Sequence, residues 1–220
     1  MCHTVSQMPA PTATGRRAKA RAAREESRAR IIAAATELVR ERSFPELSVS
    51  EIMEQADLER TLFYRHFDDL GDLLRQAARE AFEALYETEL DLGPARAGAE
   101  PEAVRAAIEP AAKVYRRHGP LLRALSEAAA GDERIATGQE AMRRRFDGLV
   151  TDALGGLGSL AARPASEVAE TARALNLMNE TYLLEAFGCE PRVSVQMAVG
   201  TLSEIWLAVI HGRPASSGNG

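Results

Sequence analysis

The stretch from Leu47 to Leu74, LSVSEIMEQADLERTLFYRHFDDLGDLL, constrains the fold of this chain more than any other segment. Ser48 followed by Glu51 predicts a capping box, in which each of the two residues satisfies a free backbone N–H at the start of a helix. Apolar residues then recur at helical spacing until Ala56-Asp57-Leu58 interrupts the pattern, and a second helix is predicted to begin near Glu59. The stretch therefore predicts two short helices joined by a tight turn.

The second of these helices carries two kinds of side chain. A short helix with a polar side and an apolar side suits a recognition helix that enters a DNA groove. The alternative interpretation is that both short helices are core helices with ordinary polar faces. The donors and polar rings are Arg60, Thr61, Tyr64, Arg65 and His66, and the apolar residues among them are Leu62, Phe63 and Phe67, of which the two phenylalanines are predicted to pack inward.

Helical periodicity continues along the rest of the chain, and strand signals are almost absent. A helix from about Glu25 to Arg42 precedes the two short helices, and three such helices sharing one small core form a helix-turn-helix domain of ~45 residues. Only 5% of the residues are aromatic, and Ala, Leu, Glu and Arg dominate the composition. The predicted fold is all-α, with an N-terminal three-helix helix-turn-helix domain followed by a C-terminal helical bundle, about nine helices in total.

Composition and the positions of Gly and Pro set the predicted boundaries. A helix from Asp69 to Leu90 follows the helix-turn-helix domain and belongs to both domains. Pro110 is predicted to kink a later helix, and Gly119-Pro120 is predicted to separate one helix from the next. The predicted parts of the chain are a disordered basic arm over 1–24, a helix-turn-helix domain over 25–68, a helical bundle over 69–212 and a disordered tail over 213–220.

Charge is distributed unevenly along the chain. The net charge is −5, but residues 1–30 carry +5 and the remainder carries −10. A positive field concentrated at one end suits a surface that faces phosphates. The run GRRAKARAAR could reach along phosphates or into a minor groove, and the alternative is that it only makes the tail more soluble.

Cysteine and histidine usage argues against a metal site or a catalytic site. Cys2 and Cys189 are the only cysteines of the chain, and neither has Cys or His at ligand spacing. The four histidines are scattered, and no Gly-rich phosphate loop is present. We expect no enzyme activity, no metal and no cofactor, and a reducing, cytoplasmic setting. No apolar run approaches the ~20 residues that span a bilayer, and no signal-peptide core is present, so we expect no membrane association.

These residues together resemble a known family. The pattern AxLxxxxFYRHFxxLxxLL, which runs from Ala56 to Leu74 near the N-terminus, is similar to the helix-turn-helix of the TetR family of bacterial transcriptional regulators. The stretch Ala174–Glu180, ALNLMNE, and Glu204-Ile205-Trp206 in the last helix resemble the subgroup of the ethionamide-activation repressor. The resemblance covers the whole chain.

The resemblance implies a repressor that binds a pseudo-palindromic operator in double-stranded DNA as a homodimer. Arginine at a groove-facing position can bridge the O6 and N7 atoms of guanine, which is worth roughly 1–3 kcal/mol of discrimination. A helical protein–protein adaptor, controlled by a protein partner, is the alternative function. By the family's roles, Arg60, Thr61, Tyr64 and Arg65 face the major groove, and Ser48, Ser50, Tyr64 and His66 lie where phosphates or neighbouring bases are contacted.

The chain departs from its relatives at three positions near the predicted DNA face. Many relatives have Gly where this chain has Asp57, Ser where it has Glu59 and Lys where it has Leu70. Asp tolerates the backbone conformation of a tight turn. The acidic residues should nevertheless weaken phosphate binding, and the basic arm is expected to compensate. The acids concerned are Asp57, Glu59, Asp68, Asp69 and Asp72.

The resemblance also implies a second site, for a small and largely apolar effector inside the C-terminal bundle. Asn176 and Asn179 are three apart on one face of an otherwise apolar helix, and buried amides need hydrogen-bond partners. A ligand carbonyl or amide could supply those partners, and the alternatives are the dimer interface or the backbone. The candidate wall residues are Tyr115, Met142, Phe146 and Trp206, each of which could also be plain core. The last two helices are expected to form the dimer interface.

Overall fold

The computed structural model describes residues 13–90 and 100–212. That part of the chain is all-helical, as predicted. The start of the predicted arm and the predicted tail over 213–220 lie outside the described residues. The α-helices are α1 Ala13–Glu41, α2 Val49–Gln55, α3 Leu70–Ala77, α4 Arg79–Leu90, α5 Pro101–Ala128, α6 Glu133–Leu154, α7 Ala165–Phe187 and α8 Val195–His211, and three 3₁₀ segments cover Phe44–Glu46, Arg60–Arg65 and Gly158–Leu160.

Helix α1 begins earlier than the sequence pattern predicts. The first helix was expected from about Glu25, with a disordered arm over 1–24, but the structure is helical from Ala13 onward. Residues 13–24 consist mostly of Ala, Arg and Lys, which are strong helix formers even where no apolar stripe is present. The prediction of disorder is therefore wrong over residues 13–24, and the basic residues there extend a helix of the N-terminal domain.

The N-terminal domain, which we call the head, has its own small core. Ile31 of α1 and Ile52 of α2 are fully buried in it. Phe63 and Phe67 are 0% and 2% exposed, with ring centroids 5.5 Å apart, which confirms the predicted inward packing. The head is held together by the apolar sides of α1, α2, the 3₁₀ segment over Arg60–Arg65 and the start of α3, so its polar sides remain on the surface.

Helix α5 continues through Gly119-Pro120, where the sequence pattern predicted a break. Proline costs a helix one backbone hydrogen bond and a steric clash with the preceding turn, so local propensity alone favours a break there. Gly119 is buried against the end of α7, and a Cβ atom at this position would clash with the carbonyl oxygen of Phe187. The glycine therefore allows α5 and α7 to cross closely, and the prediction of two separate helices is wrong.

The remaining helices form two apolar clusters that share α5. One cluster joins α5 to α6, α7 and α8, and includes Phe187 and Trp206. The other contains Val39 from α1 together with residues of α3, α4, α5 and α6, including Leu74 and Leu125. The head is thus packed directly on the bundle through α1 and α3. Within residues 13–90 and 100–212, no helix is both long enough and apolar enough to cross a membrane.

Candidate functional site

The capping box predicted at the start of α2 is present. The backbone N–H of Ser48 donates to Glu51 over 2.9 Å, and the Ser48 hydroxyl accepts from the backbone N–H of Glu51 over 3.3 Å. Arg42 donates to the same carboxylate over 2.7 Å. The Arg42 and Ser48 hydrogen bonds lower the pKa of Glu51 to about 2. The N-terminus of α2 is therefore fixed, and Ser50 lies exposed in its first turn.

The turn between α2 and the recognition segment is built on Asp57. Its φ of 51° lies in the left-handed region, which Asp and Asn tolerate better than most residues do. Arg30 of α1 donates to the carbonyl oxygens of Ala56 and Asp57 over 2.5 and 2.9 Å. Asp57 thus provides the conformation for which many relatives use Gly, and α1 holds the turn in place.

The recognition segment itself is a 3₁₀ helix over Arg60–Arg65 rather than the α-helix that the pattern predicted. It is only two turns long and lies between the left-handed Asp57 and the start of α3, and short helical connections commonly adopt the tighter 3₁₀ form. All four of the side chains predicted to face the groove are exposed on it: Arg60, Thr61, Tyr64 and Arg65. Tyr64 is 58% exposed, and its ring meets Phe63 edge-on at 5.3 Å, so a buried ring supports the exposed one.

His66 is placed differently from the four exposed residues. It is half-buried, and its Nε2 lies 2.9 Å from the hydroxyl of Ser27 on α1. Burial lowers the pKa of His66, and the positive charges of Arg24, Arg28 and Arg65 lower it further. The His66 ring therefore helps to pack α1 against the recognition segment.

Three of the five acids near this face are paired with arginines within the structure. Asp69 caps α3 and accepts from Arg134 of α6 over 2.7 Å, and that bond lowers its pKa. The other two pairs are Asp72 with Arg75 at 3.1 Å and Asp57 with Arg30 at 3.4 Å, whereas Glu59 and Asp68 are exposed. The local field is therefore less negative than the sequence alone suggests.

The second candidate site is a cavity of about 160 Å³ inside the C-terminal bundle. It is bounded by side chains from α4, α5, α6, α7 and α8, and most of its wall is apolar. The structure brings together all six residues predicted for this site, which are Tyr115, Met142, Phe146, Asn176, Asn179 and Trp206.

The two asparagines have fixed and different orientations. Trp206 donates its indole N–H to Asn179 Oδ1 over 3.2 Å, and an indole nitrogen can only donate. Asn176 donates from Nδ2 to Asp147 Oδ1 over 2.8 Å, and a carboxylate can only accept. The amino group of Asn179 and the carbonyl group of Asn176 are therefore the amide groups that can still hydrogen-bond to a ligand.

Charged residues, which the sequence pattern did not predict, line part of the cavity. Arg143 of α6 donates to both carboxylate oxygens of Glu180 of α7 over 2.7 and 2.8 Å. Burial raises the pKa of the Tyr115 phenol, and the negative charge of Glu180 raises it further. Helical spacing could have found these residues, because Arg143 and Asp147 lie on the same stripe of α6 as the predicted wall residues.

A second feature that the sequence pattern did not predict joins the bundle to the head. Arg123 of α5 donates to the carbonyl oxygens of Gly188, at the end of α7, and Val39, in the last turn of α1, over 2.8 and 2.6 Å.

Arg123 also pairs with Glu127, whose carboxylate accepts from Ser43 Oγ and the Phe44 N–H over 2.8 and 2.9 Å. We call this pair the Arg123–Glu127 clamp. Burial opposes the charged form of Glu127, but its bonds from Phe44, Ser43 and Arg123 hold its pKa below the ordinary value.

Comparison with known proteins identifies the family of both parts of the chain. Residues 31–82 match the family model described as bacterial regulatory proteins, tetR family. Residues 104–212 match the model of the C-terminal domain of transcriptional regulator EthR. The chain belongs to the TetR family. It is a DNA-binding transcriptional regulator, and the predicted TetR resemblance is confirmed.

Individual TetR family relatives agree with this assignment over nearly the whole chain. The HTH-type transcriptional regulator EthR of Mycolicibacterium smegmatis is 29% identical over 225 residues, covering 95% of this chain and 96% of the relative. A TetR-like regulator from Rhodococcus sp. RHA1 has a TM-score of 0.66 at 17% identity, over 86% of this chain and 97% of its own. PfmR from Thermus thermophilus has a TM-score of 0.65 at 18% identity, over 84% and 98%. These two structures support the TetR fold.

Proposed function

We propose that this TetR family chain is a repressor that binds a pseudo-palindromic operator as a homodimer and is released by a small, largely apolar effector. The observation that carries the proposal is the cavity, whose wall contains all six of the residues predicted to bind the effector. A concave, mostly apolar pocket with a few polar groups is the usual form of a small-molecule site. The amino group of Asn179 is available to a carbonyl oxygen of such an effector.

The proposed DNA contacts are the exposed residues of the recognition segment. Arg60 and Arg65 supply forked donors that suit guanine, and Thr61 and Tyr64 can reach base edges or phosphates. Ser50 offers an exposed hydroxyl to a phosphate oxygen in the first turn of α2, whereas the proposed contact at Ser48 has to share its hydroxyl with the capping box. His66, also predicted to contact DNA, would contribute indirectly, through its position between α1 and the recognition segment.

Release of DNA follows from linkage between the two sites. Asn176 and Asn179 lie on α7, and α7 ends at the carbonyl group that Arg123 binds. An effector that favours a different position of α7 would shift the Arg123–Glu127 clamp, and with it α1 and the spacing of the two heads. The effector then lowers DNA affinity, and DNA lowers effector affinity by the same factor.

A second copy of this chain is the proposed occupant of the exposed face of α7 and α8. Leu177, Met197 and Ile205 are 38%, 60% and 39% exposed there. Large apolar side chains left exposed on the last two helices are consistent with an interaction site there. Two copies meeting through α7 and α8 would form a four-helix interface and place two heads side by side.

A shift assay on the DNA upstream of the chain's own gene tests the function. We expect a discrete complex that Arg60→Ala weakens by about tenfold or more, because a bidentate arginine contact is worth roughly 1–3 kcal/mol. Arg116→Ala, which removes an exposed arginine from α5, is the matched control. A failure to bind any sequence specifically, there or genome-wide, would favour the protein–protein adaptor.

The cavity is tested separately with Asn179→Leu. This change removes one of the two amides from the cavity wall. It should reduce the response to effectors while leaving operator binding unchanged. Loss of DNA binding in this variant would instead assign Asn179 to folding or to the dimer interface.

A further inference from the structure

The cavity of this chain contains one carboxylate that its neighbours satisfy only in part. Asp147 lines the cavity on α6 and accepts one side-chain hydrogen bond, from Asn176 to Oδ1 over 2.8 Å. Its Oδ2 atom has no hydrogen-bond partner among the described residues. An ionised carboxylate can accept about four hydrogen bonds, so Asp147 retains acceptor capacity at the cavity wall.

The arginines around Asp147 are already engaged by other carboxylates. Arg143 is held by both oxygens of Glu180 at 2.7 and 2.8 Å. Arg173 is held in the same way by Glu170 at 3.0 and 2.7 Å. Each of these guanidinium groups is bonded to a carboxylate of its own, and Arg173 acts on Asp147 through its charge without a hydrogen bond, so no arginine among the described residues donates to Asp147.

Asn176, the neutral side chain bonded to Asp147, adds a second hydrogen-bond acceptor beside the carboxylate. Asn176 must direct its amino group at the carboxylate, so its carbonyl oxygen is the free half. Two acceptor atoms are therefore left over, Asp147 Oδ2 and Asn176 Oδ1. They lie on two side chains that are hydrogen-bonded to each other. Most of the remaining wall is apolar, with Leu122 and Leu125 of α5 among its residues.

We propose that Asp147 selects the effector, and that the cavity takes an amphipathic molecule with a compact apolar body and a protonated amine. The inference rests on the proposed function, because it names the chemical class that the same cavity would bind. An ammonium group satisfies both free acceptors and neutralises the carboxylate, whereas a carboxylate ligand meets a like charge. Hydrogen bonds between ionised groups are roughly twice as strong as neutral ones.

The size of the cavity sets the probes for a test. A cavity of roughly 150 Å³ lined by apolar residues holds benzene, so a phenyl ring is a suitable body for this one. Three probes share that ring and differ in the end group: 2-phenylethylamine, 2-phenylethanol and phenylacetate. Trp206 is the only tryptophan of the chain and lines the cavity, so its fluorescence reports occupancy directly.

We expect 2-phenylethylamine to bind the full-length protein about tenfold more tightly than 2-phenylethanol, with phenylacetate weakest. Asp147→Asn should remove the preference for the amine, because it deletes the charge while its side-chain oxygen still accepts from Asn176. Unchanged binding of 2-phenylethanol to this variant shows that the cavity is intact. Asp152→Asn removes the same charge from an exposed position on α6 and should keep the preference.

The outcomes separate this inference from the proposed function. Equal binding of the three probes, or an amine preference that survives in Asp147→Asn, overturns the role of Asp147 and leaves the cavity as an effector site. Tighter binding of phenylacetate also overturns it and points to Arg143 instead. If no probe changes the fluorescence, both the amine preference and an effector site of this size fail, while operator binding in the shift assay still tests the regulator.

Discussion

Arg123 donates from Nε to the carbonyl oxygen of Gly188 over 2.8 Å, and the same guanidinium reaches Val39 over 2.6 Å. One side chain thus binds the C-terminal end of α7, which carries the cavity asparagines, and the last turn of α1, which supports the recognition segment. The carbonyl groups in the last turn of a helix lack partners within the helix, and they attract a positive charge. The geometry explains how a change at the cavity could reach the head.

Replacing Arg123 should cost more than replacing an exposed arginine with similar bond lengths. Arg123→Met removes the donor to two helix ends and leaves Glu127 partly buried without its cation, so we expect the free energy of unfolding to fall by roughly 2–3 kcal/mol. Urea unfolding followed by circular dichroism measures the change. Arg173→Met breaks an exposed pair and should cost at most about 0.5 kcal/mol; equal losses in the two variants would contradict the clamp.

The left-handed conformation of Asp57 gives a second prediction. Its φ of 51° costs most non-glycine residues about 1–2 kcal/mol, and glycine avoids that cost. Asp57→Gly should therefore be more stable than Asp57→Ala by about 1 kcal/mol, although both remove the same carboxylate. The free energies of unfolding of the two variants decide the question, and an alanine variant as stable as the glycine variant would refute the strained turn.

The helical class, the capping box and the inward packing of two phenylalanines could be predicted because they depend on local patterns. Ser48 and Glu51 meet within one turn of helix, and Phe63 and Phe67 follow a simple spacing, so the sequence contains the signal. The cavity wall was predictable because its residues fall on helix stripes of a recognised family. Each of these features needs only neighbours in the chain or the resemblance.

The features that could not be predicted depend on contacts between distant parts of the chain. Pro120 continues a helix because Gly119 packs against the backbone at Phe187, and no local signal indicates that crossing. Arg123 and Glu127 are an ordinary i,i+4 pair in sequence, and only the fold brings Val39 and Gly188 to them. The pairing of Asp69 with Arg134 also arises only when α3 meets α6.

The capping box at the start of α2 predicts a pH dependence of stability. The Arg42 and Ser48 bonds lower the pKa of Glu51 from 4.5 to about 2 in the folded state. Its contribution is therefore fully present above pH 4.5 and is lost as the pH falls toward 2. The stability difference between wild type and Glu51→Gln should shrink over that interval in thermal unfolding. Glu54→Gln, at an exposed position on the same helix, serves as control, and a difference that stays constant with pH would contradict the assignment.

The basic residues at the start of α1 should contribute to DNA binding through phosphates. Arg17, Lys19 and Arg21 are exposed, and replacing all three by Gln preserves helix propensity while removing the charges. The slope of log affinity against log salt should become shallower by about 0.9 for each phosphate that the variant no longer neutralises. The matched control replaces three exposed basic residues of the bundle, Arg105, Lys113 and Arg163. Identical slopes for the two variants would assign the segment to solubility alone.

The exposed apolar face of α7 and α8 predicts the oligomeric state. Met197 and Ile205 are 60% and 39% exposed, so charging them should leave the fold of one chain intact. In a dimer the same changes would bury unpaired charges, and Met197→Lys combined with Ile205→Lys should yield a monomer with weakened operator binding. Sedimentation equilibrium measures the mass, with Gln196→Lys as an exposed control on the same helix. A dimer that persists in the double variant would place the interface elsewhere, because two lysines cannot be buried there without partners.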